Sequence, residues 1–240
     1  MAYVIAIAGK GGVGKTTISA LLIRRLLEID APVLAIDADP NANLNVALGL
    51  EYGDTISDIR EEAKKSSLAS FSKSDLFNMR LQEIIIEEEG VDLLVMGRPE
   101  GPGCYCAINN ILREYLSRLG KNYKFIVIDN EAGMEHLSRR TADKIDKLLL
   151  VSDTTVVGIR SAINAFQTAK KAGLKVKSAA LIINKSKGII EKKSQELINN
   201  SGLSVECHIP FQEEIQKRSE TGEKMPKKMD LELKETIWKG

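Results

Sequence analysis

Net charge is almost absent from this 240-residue chain: 34 Lys and Arg stand against 33 Asp and Glu, a formal net charge of +1. That is no electrostatic footprint for nucleic acid, which asks for a basic face. Long apolar runs are missing too. None approaches the roughly 20 residues needed to span a bilayer. The amino terminus lacks a basic flank and a small-residue cleavage site. Its apolar run enters a glycine-rich loop directly, so it reads as a core strand and not as a signal peptide. Cysteine is scarce, with three in the chain. An odd number without an export signal suggests a reducing cytoplasm. Internal repeats and low-complexity linkers are also absent. No membrane and no nucleic-acid partner is expected.

What remains is ordinary globular material: 43% apolar and 28% charged residues. Apolar, β-branched runs recur at residues 3–8, Val33–Asp37, Asp92–Met96, Phe125–Asp129, Leu148–Ser152 and Ala179–Asn184. Helical patterns lie between most of them. Strands alternating with helices predict an α/β fold with a mainly parallel sheet flanked by helices. The whole chain, 1–240, reads as one domain. Residues 53–90 read as a helical, charge-rich, mobile insertion. The tail from Gln212 reads as surface helices.

The most informative stretch is Gly9-Lys10-Gly11-Gly12-Val13-Gly14-Lys15-Thr16. Gly9, Gly14, Lys15 and Thr16 meet the phosphate-loop outline, with Thr17 following. Such a loop lays backbone N–H groups against phosphate oxygens, and side chains would block the approach. The glycines clear the way and permit positive φ. A strand precedes the loop and a helix, 16–28, follows it, so the loop ends where a helix dipole favours anions. Lys15 is expected on the β- and γ-phosphates and the Thr16 hydroxyl on Mg²⁺.

Two acidic strand ends follow. Asp37 and Asp39 stand two residues apart after the second strand, which points both the same way, toward the nucleotide. The run Phe125–Ile128 ends in Asp129, the Walker B pattern, whose carboxylate suits a water-mediated Mg²⁺ contact. Gly133 would let backbone approach the γ-phosphate, which makes Glu131–Gly133 a switch II candidate. His136 reads as a structural hydrogen bonder. Asn184-Lys185-Ser186-Lys187 is similar to the Asn-Lys-x-Asp signature of GTPases, but Lys187 replaces the carboxylate that pairs with guanine. That points to ATP.

Cys104 and Cys106 precede an amphipathic stretch, Ala107–Leu119, with apolar residues at 108, 111, 112, 115, 116 and 119. A thiol at a helix start favours the thiolate. Two thiolates are too few for a closed four-ligand metal site. In a twofold dimer the pair returns from the other subunit, giving four sulfurs around one ion. These suit Zn²⁺, Ni²⁺ or an iron–sulfur cluster. Two small buried residues are the other reading of this spacing. Cys207, beside His208, reads as core.

With Lys10 just after its first glycine, the phosphate loop resembles the deviant Walker A motif of the family that includes the Min and Par ATPases and the nitrogenase iron protein. The resemblance implies that Lys10 reaches the nucleotide of a partner subunit and stabilises transition-state charge in trans. It implies that Asp39 positions or activates the attacking water and that Asp37 helps hold the magnesium shell. It places an adenine contact on Asn184, with Lys185 nearby and a second wall at Pro210 and Phe211. Glu131 departs from the proline usual in cell-division and partition ATPases. No cysteine lies in 129–140 to ligate a cluster as the nitrogenase iron protein does. Together with Cys104 and Cys106, the stretch 129–140 resembles the carbon monoxide dehydrogenase maturation ATPases of the CooC type. That family implies ATP-dependent homodimerisation, Ni²⁺ or Zn²⁺ at the shared cysteines, and nickel delivery to an apo-dehydrogenase. Maturation of acetyl-CoA synthase and a MinD/ParA-like positioning role are the alternatives.

Overall fold

The computed structural model describes residues 2–29, 31–65, 79–88, 90–98, 120–132, 144–226 and 235–238. Cys104, Cys106, Gly133, His136 and the stretch Ala107–Leu119 lie outside the described residues.

The chain alternates between strands whose apolar residues run continuously and helices with one apolar face. Strand β1 (Tyr3–Gly9) leads through the glycine loop into helix α1 (Lys15–Glu28) and strand β2 (Val33–Ala38). Helices α2 (Leu44–Leu48) and α3 (Ile56–Lys65) come next. Strands β3 (Ile86–Glu88), β4 (Val91–Val95), β5 (Phe125–Asn130) and β6 (Lys144–Ser152) follow. Helix α4 (Val156–Lys171), strand β7 (Lys175–Ser186), helix α5 (Lys192–Ser201), strand β8 (Ser204–Pro210) and helix α6 (Glu213–Thr221) complete the fold. The strands form one eight-stranded sheet in the order β3-β4-β2-β5-β1-β6-β7-β8. Every pairing is parallel except the antiparallel β3–β4 edge.

Burial on both faces explains the unbroken apolar strands. One core packs α3, α4 and α5 against the sheet through Ile59, Ile159, Phe166 and Ile198. The other packs α1 and α2 through Ile18, Leu22, Leu26 and Leu44. Parallel strands all end at the same edge of the sheet, and loops at that edge are where such folds bind ligands.

The structure adds to the sequence reading in three places. Within 53–90, read as an insertion, the described residues include helix α3 and the edge strand β3, whose exposed Glu87 and Glu88 protect it from further pairing. Strand β8 was unrecognised in sequence, because only unbroken apolar runs were read as strands, whereas Val205, Cys207 and Ile209 alternate with polar residues in the half-buried pattern. Its Glu206 is buried on the side chain of Lys147, 2.8 Å away. The tail does present α6 with no buried residue, but Met225, Ile237 and Trp238 then return to the core. Cys207 is buried in that core, and His208 is exposed on β8.

Candidate functional site

The end of β1 can turn only as glycine. Gly9 has φ +154, and a Cβ there would sit 2.2 Å from the Val151 carbonyl oxygen. Gly14 closes the loop at φ 93 as the N-cap of α1, with no side-chain cap on the helix. The first-turn N–H groups of α1 therefore have no side chain competing for them. Across the loop, the Asn184 side-chain NH₂ donates to the Val13 carbonyl at 2.8 Å, and the Lys185 ammonium donates to the Gly12 carbonyl at 3.3 Å. Two residues at the end of β7 thus hold the phosphate loop from behind.

A cleft of about 510 Å³ opens over this loop. Gly11, Gly12, Gly14, Lys15, Thr16 and Thr17 form its floor. Asp39, Asn41 and Asn43 come from the loop after β2, Glu131 and Ala132 from the end of β5, and Asn184 and Lys185 from β7. Pro210, half-exposed Phe211, Gln212 at the N-cap of α6 and the α6 residues Ile215, Gln216 and Ser219 close the far side. Gly9 and Val13 shape the loop from beneath it and do not line the cleft. Lys10 is exposed and also lies outside the lining.

Charge in the cleft is built around Lys15, which is only 7% exposed. Burial pushes its pKa down, while Asp129, Asp39 and Glu131 push it back up. Its ammonium donates to the Lys10 carbonyl at 3.4 Å. Asp129 lies below. Its Oδ1 accepts from the Ser19 hydroxyl at 3.0 Å, and the nearby Thr16 side chain favours its charged form. Asp129 Oδ2 is buried with no hydrogen-bond partner. Burial raises this carboxyl to about 6, against the lowering effect of Thr16, Ser19 and Lys15. A buried acceptor left open beside a threonine hydroxyl fits a hydrated Mg²⁺, which keeps most of its waters and takes a carboxylate through one of them.

Asp37 lies deeper than Asp39. It is fully buried, and it does not line the cleft. Its Oδ1 accepts from the Asp39 backbone N–H at 3.1 Å and its Oδ2 from the Leu44 N–H at 2.8 Å. Burial, then the neighbouring Asp129, raise it to about 7. The two-residue spacing placed Asp37 and Asp39 on one side, but the chain turns after Ala38, and Asp39 alone reaches the cleft.

Sequence reasoning missed Ser19, Asn41, Asn43 and the α6 residues. Ser19 carried a readable signal, since it stands one helical turn after Lys15 and so shares its face. The α6 residues carried none, because β8 had to be recognised before α6 could be placed.

A parallel sheet whose first strand delivers a glycine loop and a buried lysine to a helix N-terminus defines a P-loop nucleotide-binding protein. The chain belongs to the CobQ/CobB/MinD/ParA nucleotide-binding domain family, whose pattern matches residues 4–225. It is 41% identical over 217 residues to an uncharacterized ATP-binding protein of Methanocaldococcus jannaschii, covering 88% of this chain and 86% of that one. It is 33% identical over 186 residues to the carbon monoxide dehydrogenase accessory protein CooC of Rhodospirillum rubrum, covering 71% and 70%. Among solved structures it is similar to the septum site-determining protein MinD of Pyrococcus horikoshii complexed with Mg-ADP. The TM-score is 0.69 and the identity 25%, covering 93% of this chain and 87% of that one. Among the described residues no helix is long and apolar enough to cross a membrane.

Proposed function

We propose that this chain is an ATP hydrolase that works as a homodimer and carries a metal ion to a nickel enzyme. The observation that carries the nucleotide half is the open Oδ2 of Asp129 beneath Lys15 and beside Thr16. Thr16 and, through water, Asp129 hold Mg²⁺, which supplies charge neutralisation for the phosphates of ATP or ADP. Lys15 and the loop N–H groups grip the phosphates. Asp39 orients the attacking water, and Glu131 and Gly133 respond to the γ-phosphate. Exposed Lys10 reaches the partner subunit's nucleotide.

The amide of Asn184 supports ATP over GTP. A carbonyl only accepts, so the Asn184 NH₂ must face Val13, which leaves Oδ1 for the nucleotide. An acceptor there suits the amino group of adenine and opposes the oxo group of guanine. Lys185 and the Pro210–Phe211 wall flank the base.

The metal half rests on the likeness to the CooC accessory protein and on Cys104 and Cys106. Paired across a twofold axis, these cysteines give four soft donors for Ni²⁺ or Zn²⁺. The client is apo carbon monoxide dehydrogenase or a related nickel enzyme, in the cytoplasm. The test is the double variant Cys104→Ala/Cys106→Ala, followed by metal analysis with a non-hydrolysable ATP analogue. Metal binding is expected to vanish while ATP binding survives. About one metal per dimer in the double variant would place the cargo elsewhere. Nucleotide-dependent pelleting with liposomes or DNA would favour the MinD/ParA-like role instead.

A further inference from the structure

We propose that Asp37 is a positioning residue: its carboxylate ties both ends of the loop between β2 and α2 and so sets Asp39 in the cleft. The inference rests on the ATPase reading above and replaces a magnesium role for Asp37 with a mechanical one.

The geometry is that of a staple. One carboxylate accepts from the Asp39 N–H on one oxygen and from the Leu44 N–H on the other. Leu44 opens α2, whose N-cap, Asn43, makes no side-chain cap bond. Asp37 supplies the missing acceptor from seven residues upstream and satisfies a helix-start N–H that would otherwise be orphaned. The far end of α2 is anchored separately. The Arg24 guanidinium donates to the Leu48 carbonyl at 2.9 Å, and the Met225 N–H donates to the Ala47 carbonyl at 2.8 Å. With α2 fixed, the Asp37–Leu44 bond fixes where the loop must end. The Asp37–Asp39 bond fixes how it begins.

Between the two ties the loop is tightly folded. Asp39 Oδ1 accepts from the Asn41 N–H at 2.9 Å, the Ala42 N–H donates to the Asp39 carbonyl at 3.0 Å, and Ala42 sits at φ 44. A non-glycine residue in the left-handed region persists only where its surroundings over-determine it. Here the two ties do so.

The chemistry also explains why the residue is aspartate. Asp37 pairs in register with Asp129 on β5, an unfavourable place for a second buried carboxylate. Only a carboxylate of this length offers two acceptor oxygens to two N–H groups at once. Asparagine offers one acceptor and turns an NH₂ toward the other N–H. Tolerating Asp37 beside Asp129 is the consequence of needing both ties.

The experiment uses the full chain with Asp37→Asn, and with Asp129→Asn as the metal-site reference. ADP affinity is measured with and without Mg²⁺, and kcat and KM for ATP are measured across a Mg²⁺ titration. For Asp37→Asn, kcat is expected to fall about 10- to 100-fold, as misplacement of a positioned group does. KM for ATP, the half-saturating Mg²⁺ and the Mg²⁺ enhancement of ADP binding should stay within about twofold, a split that general loss of structure does not produce. Loss of the Mg²⁺ enhancement, as in Asp129→Asn, would put Asp37 in the metal shell and overturn the proposal. So would an unchanged kcat. Failure of the ATPase reading shows separately, as no Mg²⁺-dependent nucleotide binding by the unaltered protein. Should Asp37→Asn not fold, amide exchange of the unaltered, ligand-free protein decides. The Asp39 and Leu44 amides are expected to be protected at least tenfold over an open loop; exchange at the open-loop rate overturns the staple.

Discussion

The ends of β2 and β5 lie side by side, and their aspartates, Asp37 and Asp129, stand opposite each other in register. Both are buried, and both carboxyls are raised chiefly by that burial. Their partners differ. Asp37 is closed off by two backbone N–H groups, one on each oxygen. Asp129 takes the Ser19 hydroxyl of α1 on one oxygen and keeps the other without a partner. Identical side chains at matched positions therefore differ in what they can still do: the first shapes a loop, and the second is left to meet a ligand. Position on the sheet does not assign a role; the inventory of satisfied lone pairs does.

The largest effect should come from the residue that the β2 end presents. Asp39→Ala is expected to reduce ATP turnover about 10²- to 10⁴-fold, the range for losing a positioned acid or base. ADP binding in Mg²⁺ should stay unchanged, because the β5 end is intact. Steady-state kinetics with an ADP titration checks this. If ADP binding weakened along with turnover, the two ends would not be separable and the comparison would break.

A second consequence concerns stability. Asp37 titrates at about 7 and Asp129 at about 6, both above the carboxylate value of 3.8. Between about pH 4 and 7 the folded protein holds protons that the unfolded chain has released. Its stability then falls as pH rises, and the penalty is fully present above pH 7. Asp129→Asn removes one charge and relieves the other. The ligand-free variant should therefore melt above its parent at pH 8, by about 2–4 °C for each kcal/mol relieved. The gain should vanish toward pH 4. Thermal melts at both pH values test it; a variant less stable than its parent at pH 8 would show that Asp129 is not strained by burial. A change that weakens the proposed Mg²⁺ site while strengthening the empty fold is what a functional carboxylate in a dry place predicts.

How much of this was written in the sequence differs between the two ends. The phosphate loop and the parallel architecture were legible, because Gly9, Gly14, Lys15 and Thr16 act through local spacing and the strands through unbroken apolar runs. Asp129 was legible as the polar end of such a run. The separation of Asp37 from Asp39 was not legible, because period-two alternation assigns a side only while the strand lasts, and β2 ends at Ala38. Strands β6 and β7 begin earlier than their apolar runs. Lys147 can be buried at the start of β6 because Glu206 arrives from β8 to meet it. Contacts of that kind join residues far apart in the chain, and no local pattern encodes them. The same holds for α6, which reaches the cleft only because β8 extends the sheet.

The smallest effect gives the finest separation of the two ends. Ser19 touches the β5 carboxylate, donating at 3.0 Å to Asp129 Oδ1, and makes no hydrogen bond to the β2 loop. Its hydroxyl has one proton for two acceptors, Asp129 and the Lys15 carbonyl, and the carboxylate is the stronger of them. Ser19→Ala removes that donor and leaves Asp129 less firmly oriented. Losing one hydrogen bond of about 0.5–1.5 kcal/mol should raise the half-saturating Mg²⁺ concentration about 2- to 10-fold. Single-turnover hydrolysis at saturating Mg²⁺ should stay within about twofold of the parent, since Asp39 and its loop are untouched. If that saturating rate fell as far as the Mg²⁺ affinity, Ser19 would be acting on both carboxylates. Asp37 and Asp129 would then have to be treated as one coupled pair.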